Sequence, residues 1–181
     1  MPYIPDGIEN SQTRMPGGVK IYLAGSSKDT AWLPFVQEQL RKLQVWFTCP
    51  WWDNIKTGSV AETFNEGKMD ARLDLELLQF NAQCAEGDLK GIVEADMAVF
   101  AFDPLFPTPG AMFELAAAVL WQEKPVLIIS HAAPAEFRGW IFPHWCMLER
   151  PNLVHWSWGD HSGSAIMNVV SKRYAAAGLT K

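Results

Sequence analysis

The stretch from Met97 to Ser130 constrains this chain more than any other. It opens on six apolar residues, Met97 to Phe102, closed by Asp103-Pro104. That run is too short to cross a membrane and reads as a strand buried on both faces. A Pro-rich loop, Asp103 to Gly110, follows. Ala111 to Lys124 is rich in helix formers and reads as a helix. Pro125 to Ser130 is a second buried strand. Strand, loop, helix, strand is a βαβ unit, so the sheet is parallel and ligands belong at the carboxyl ends of its strands.

The remaining elements extend this pattern. Val19 to Ala24 (VKIYLA) reads as the first strand and runs into Gly25-Ser26-Ser27. Thr30 to Gln44 is an amphipathic helix, with Leu33, Val36, Leu40 and Leu43 three and four apart. Val45 to Thr48 is a short second strand. Cys49 to Gly58 is an irregular connection bearing Trp51-Trp52. Val60 to Ala85 reads as a helix that Gly87 breaks, and Asp88 to Ala95 as a short helix with Asp88 at its N-cap. His131 to Pro151 reads as a long loop with one helical turn. Leu153 to Trp156 is a final strand and Ser162 to Ala177 a closing helix. Residues 1–18, with three prolines and three glycines, form an extended arm, and 19–181 form one domain. The expected fold is α/β: a flavodoxin-like doubly wound sheet of about five parallel strands flanked by helices.

Composition removes several function classes. At 181 residues the chain is large enough for a substantial core, and 49% apolar with 19% charged residues is a globular balance. A net charge of -5 offers no basic patch for polymeric nucleic acid. Cys49, Cys84 and Cys146 are odd in number and far apart, which argues against a disulfide framework and for a reducing, cytoplasmic setting. No apolar run suits a membrane span and no signal pattern opens the chain. The nine tryptophans serve core and subunit interface, with a minority free to wall a flat ring.

Glu114 is the sharpest chemical candidate. It is expected in the first turn of its helix, where unpaired N–H groups favour a carboxylate. Acids also sit there for stability alone. Gly110 lets backbone approach a ligand closely. Asp88 and Asp103 can reach the same sheet edge, while Asp96 belongs at the opposite end. A nucleophilic carboxylate with a second acid is the minimal kit for cleaving a bond at an anomeric carbon. Ser26 and Ser27 follow a strand where free N–H groups could hold an anion, although taken alone the turn reads more readily as an ordinary capped βα turn, since no phosphate-loop pattern occurs. His144, Cys146, His155 and His161 lack the paired spacing of a zinc site, and no nucleophile elbow occurs. No metal or organic cofactor is expected.

Three segments together resemble the nucleoside 2-deoxyribosyltransferase superfamily, which includes the deoxynucleoside 5′-monophosphate N-glycosidases. They are KIYLAGS, GDLKGIVEADMAVFAFD and PTPGAMFELAAAVLWQEKPVLII, within Val19 to Ser130. The resemblance implies that Glu114 attacks the anomeric carbon and holds the sugar as a covalent ester. It implies that Asp88 protonates or orients the base and that Tyr22 holds the glutamate. Gly25 and Gly110 match loop glycines close to the ligand. The small-molecule partner would be a nucleoside or nucleotide, and the protein a homodimer or larger, with His131 to Trp145 reaching a neighbour's site.

One departure from the family pattern bears on the substrate. Transferases of free nucleosides usually carry Asp six residues before the glutamate, where it meets the sugar 5′-hydroxyl. Here that residue is Thr108, and the usual Thr is Ala111. A carboxylate would repel a phosphate dianion, whereas Thr108 can donate to it. This argues for a 5′-monophosphate, with Ser26 or Ser27 as a second donor. Arg138 is the one arginine noted nearby. The reaction would be transfer to a second base or hydrolysis by water. The rival readings are a non-catalytic nucleotide-binding module and a flavodoxin-like signalling domain.

Overall fold

In the computed structural model, residues 18–26, 28–49, 71–159, 161 and 164–179 are described, with the backbone alone for 71–81. The arm, Ser27, Trp51-Trp52 and the expected helix start at Val60 lie outside the described residues.

Five strands form one parallel sheet: β1 (Lys20–Gly25), β2 (Trp46–Phe47), β3 (Met97–Ala101), β4 (Val126–Ser130) and β5 (Val154–Trp158). Their order is β2-β1-β3-β4-β5, a flavodoxin-like doubly wound sheet. β3 and β4 are buried at every position, which is why their sequences are continuous apolar runs rather than alternating ones. β1 pairs with β3 from Ile21↔Met97 to Gly25↔Ala101. The strand order reverses between these two, which opens a crevice at their carboxyl ends.

Five α-helices among the described residues cover the sheet: α1 (Trp32–Lys42), α2 (Ala71–Glu94), α3 (Pro109–Ala116), α4 (Ile141–Glu149) and α5 (Ala165–Ala176). Strand alternation sorts their contacts. Ile21, Leu23, Val99 and Ala101 face one way and pack with Leu33, Val36 and Leu40 of α1 and Ile166 and Val170 of α5. Tyr22, Ala24, Phe100 and Phe102 face the other way, with Ile92 of α2, Leu115 of α3 and Cys146 of α4.

Three expectations are corrected. α2 runs unbroken through Gly87, so Asp88 is a mid-helix residue and not an N-cap. A helical glycine costs only about 1 kcal/mol against alanine, less than the packing that this face of α2 gains. The segment after β4 holds a 3-10 turn at Pro134–Glu136 and the nine-residue α4, not one helical turn in a loop. Pro143 lies in the first turn of α4, where a missing N–H costs nothing. The helix expected from Ala111 to Lys124 begins instead at Pro109 and widens into a π-helical turn at Ala117–Trp121.

Asp96 stands at the amino edge, as expected, where its Oδ2 accepts from Lys20 N at 2.8 Å.

Candidate active site

The site builds from three elements on one face of the sheet. Tyr22 projects from β1, fully buried. Asp88 comes from α2 and Glu114 from α3. Cys49, just after β2, closes the group: its Sγ lies 3.5 Å from Asp88 Oδ1.

Glu114 owes its position to the cap of its helix. Thr108 Oγ1 accepts from Ala111 N at 3.4 Å, and Pro109 occupies the first helical position. Glu114 therefore falls in the second turn, not the first, and the first turn contains no acid. This corrects the electrostatic expectation. No helix terminus holds Glu114 charged. Burial, and then the negative charge of Asp88, push its carboxyl up to about 8, against a smaller opposing pull from the Tyr22 hydroxyl. The Asp88 carboxyl is also raised by burial, while hydrogen bonding from Tyr22 and Cys49 draws it down. The two carboxyls are coupled, both raised, and the protons they take up belong to the pair.

Tyr22 Oη is fully enclosed and no partner meets hydrogen-bond geometry. It nevertheless lies near enough to both carboxyls to favour their charged forms. The hydroxyl thus stands within reach of both acids with neither bond closed. Burial and then the adjacent charges of Glu114 and Asp88 keep it protonated.

The glycines differ in what they serve. A Cβ on Gly110 would stand 3.7 Å from Glu114 Oε1, so this backbone borders the carboxyl itself. A Cβ on Gly25 would meet Ala101 O and Leu33 Cδ1 at 2.9 Å, so glycine there is required by the packing of β3 and α1. Gly91 was not singled out in the sequence. Its absent Cβ would stand 2.6 Å from Cys49 Cβ and 3.0 Å from Tyr22 Cδ2. Cys49 was likewise not assigned a role. Its one legible signal was a position at the carboxyl end of a strand adjoining β1.

The other candidates lie elsewhere on the carboxyl edge. Ser26 is buried, and its Oγ accepts from Lys28 N at 3.3 Å. The amides that open α1 are already taken: Asp29 accepts from the N–H groups of Ala31, Trp32 and Leu33. The turn after β1 is thus a capped βα turn. Asp103 accepts from Leu105 N at 2.8 Å and lies 3.8 Å from His131 Nε2. His131 in turn meets the Trp32 ring edge-on. Asp103 therefore lies beside His131, on the α1 side of the sheet. Among the described residues no group of three or more His, Cys, Asp or Glu could hold a metal ion. No described helix is long and apolar enough to cross a membrane.

Compared with known proteins, the chain matches no family model, no curated protein and no solved structure.

Proposed function

We propose that this protein cleaves the N-glycosidic bond of a nucleoside or its 5′-monophosphate by double displacement through Glu114. One observation supports the reading: two half-buried carboxyls, on different helices, lie near one buried tyrosine hydroxyl and have a raised affinity for protons, on the face of the sheet that α2 and α3 cover. The resemblance to nucleoside 2-deoxyribosyltransferases assigns these same three residues.

The chemistry follows from the shared proton. The Glu114 carboxylate attacks C1′ and forms a glycosyl ester as the C1′–N bond breaks. The bond's electron pair leaves with the base, whose nitrogen takes the proton from Asp88. For the attack the proton held by the coupled pair must sit on Asp88, and the nearby Tyr22 hydroxyl favours the charged form of Glu114. In the second step a water or an acceptor base attacks C1′ and gives its proton to the Asp88 carboxylate as the ester C1′–O bond breaks and its electron pair returns to Glu114, so configuration is retained. The residues present carry every proton and charge in this scheme. The Thr108 hydroxyl, at the start of the helix that carries Glu114, favours a substrate bearing a 5′-phosphate, since it does not repel a dianion.

The protein is further read as a homodimer or larger assembly. Phe113, Leu120 and Trp121 along α3 and its π turn, and Ile141, Trp145 and Leu148 along neighbouring α4, are exposed. Aromatic side chains each carry about 150–250 Å². Three of the six are aromatic, and exposed apolar side chains of this kind on helices that touch suit a surface that meets a second copy.

The deciding experiment is a chromatographic screen of deoxynucleosides and their 5′-monophosphates, with and without an acceptor base, with Glu114→Ala as control. Free base from a monophosphate without acceptor, absent in the variant, supports hydrolysis. A new nucleoside formed only with acceptor supports transfer and removes the phosphate argument. No turnover of any substrate overturns the reading in favour of a binding module.

A further inference from the structure

We propose that Cys49 is a positioning residue for Asp88, its thiol donating to Oδ1 and leaving the second carboxyl oxygen to meet the leaving base. The functional consequence rests on the N-glycosidic reading above; the contact itself does not.

The contact joins residues 39 apart in the chain, at 3.5 Å from Sγ to Oδ1. Its geometry is built by α2. Gly87 and Gly91 are one turn apart on the face that also presents Asp88. Cys49 lies against both: Sγ is 4.0 Å from the place of a Gly87 Cβ, and the Cys49 Cβ is 2.6 Å from that of Gly91. Any side chain at Gly91 would displace the cysteine or the helix. Two glycines flanking the acid let the thiol come within bonding distance of the carboxyl.

The thiol is a donor and not a thiolate. Burial first, and then the charge of Asp88, push it up to about 12, so it retains its proton at neutral pH. Asp88 is faced by Tyr22 from β1, Cys49 from beyond β2, Glu114 from α3 and Cys84 from its own helix. Of these, Cys49 donates to it, and Tyr22 lies near enough to favour its charged form. An S–H is a weak donor compared with O–H. It fixes the carboxyl's orientation without holding it so firmly charged that it cannot take up a proton. In the reaction Asp88 passes its proton to the base nitrogen as the C1′–N bond breaks, and the thiol keeps its own.

The test is a carbon-13 NMR titration of the side-chain carboxyls in the full chain, comparing the parent with Cys49→Ala and Cys49→Ser. Circular dichroism checks folding. Loss of the donor is expected to raise the Asp88 midpoint by about half a unit to one unit. Serine, the stronger donor, is expected to bring it below the parent value. In the turnover assay Cys49→Ala is expected to lower kcat several-fold with KM within twofold, and Cys49→Ser to recover it. Identical midpoints in all three proteins overturn the proposal. Should Cys49→Ala fail to fold, Cys49→Ser decides alone: a lowered midpoint supports the contact and an unchanged one overturns it. Shifted midpoints in a protein that turns over no nucleoside or nucleotide would uphold the contact and remove the glycosidic reading.

Discussion

Gly91 lies so close to Cys49 that a Cβ on the glycine would stand 2.6 Å from the cysteine's own. This approach of α2 to β1 and β2 sets the distance between Asp88 and the other site residues. Gly91→Ala gains about 1 kcal/mol of helix propensity but forces the helix away from Cys49 and the Tyr22 ring. Overpacking of this kind costs about 1–3 kcal/mol. The variant is expected to be destabilised in urea by about 1 kcal/mol net and to lose most turnover. A variant more stable than the parent, with full activity, would show that the helix can shift freely.

Tyr22 offers a sharper separation of stability from function. Its hydroxyl is buried with no bond closed. Removing an unsatisfied buried group relieves roughly 1 kcal/mol or more. Tyr22→Phe is therefore expected to be as stable as the parent or more so. The same hydroxyl pulls both carboxyls downward, so its loss raises them. The rising limb of the kcat/KM profile should move to higher pH. Thermal melts and a pH–rate profile test both halves; an unmoved limb contradicts the role given to the hydroxyl.

Stability should fall as pH rises, because of Glu114. Its folded carboxyl titrates near 8, against an ordinary value of 4.5. Below 4.5 the group is protonated folded and unfolded alike, and its contribution is fully present. Between 4.5 and 8 the folded state binds more protons, so that contribution is lost progressively and is gone above 8. Asp88, also raised, acts in the same direction from its ordinary 3.8. The Glu114 effect is on the order of a few kcal/mol. Glu114→Gln should flatten the curve and exceed the parent in stability at pH 8. Urea midpoints at pH 5, 7 and 9 measure this, and a parent that stabilises with rising pH contradicts it.

The exposed stripe on α3 and α4 gives a prediction about assembly. Phe113 and Trp121 meet edge-on at 5.6 Å, and Trp121 is 60% exposed. Trp121→Glu would place a charge in the apolar patch without touching the core. Light scattering after size exclusion is expected to show the parent as a dimer or larger and the variant as a monomer. A monomeric parent at micromolar concentration would end that reading.

Much of the fold was legible because parallel strands announce themselves. β3 and β4 are covered on both faces, so their sequences are unbroken apolar runs. The βαβ pattern then leaves few topologies. The helices were harder to read where local and tertiary terms conflict. Gly87 suggested a break, and the long-range contact with Cys49 explains why α2 continues through it. His131 to Pro151 reads as a long loop with one helical turn, yet Pro143 falls in a first turn, where proline is compatible with α4.

The sequence by itself determined the doubly wound parallel sheet, since buried periodicity and turn residues are local signals. It also named Tyr22, Asp88 and Glu114. Only the tertiary structure decided which acids meet. Alternation along β1 and β3 brings Tyr22 to the face covered by α2 and α3, whereas Asp103 turns to His131 beside Trp32. It alone decided the charge of Glu114 as well. Helix position suggested a stabilised carboxylate, but desolvation beside Asp88 outweighs a helix terminus a full turn away. Spacing along a chain records neither burial nor the approach of residues such as Cys49 and Gly91, which lie 42 positions apart.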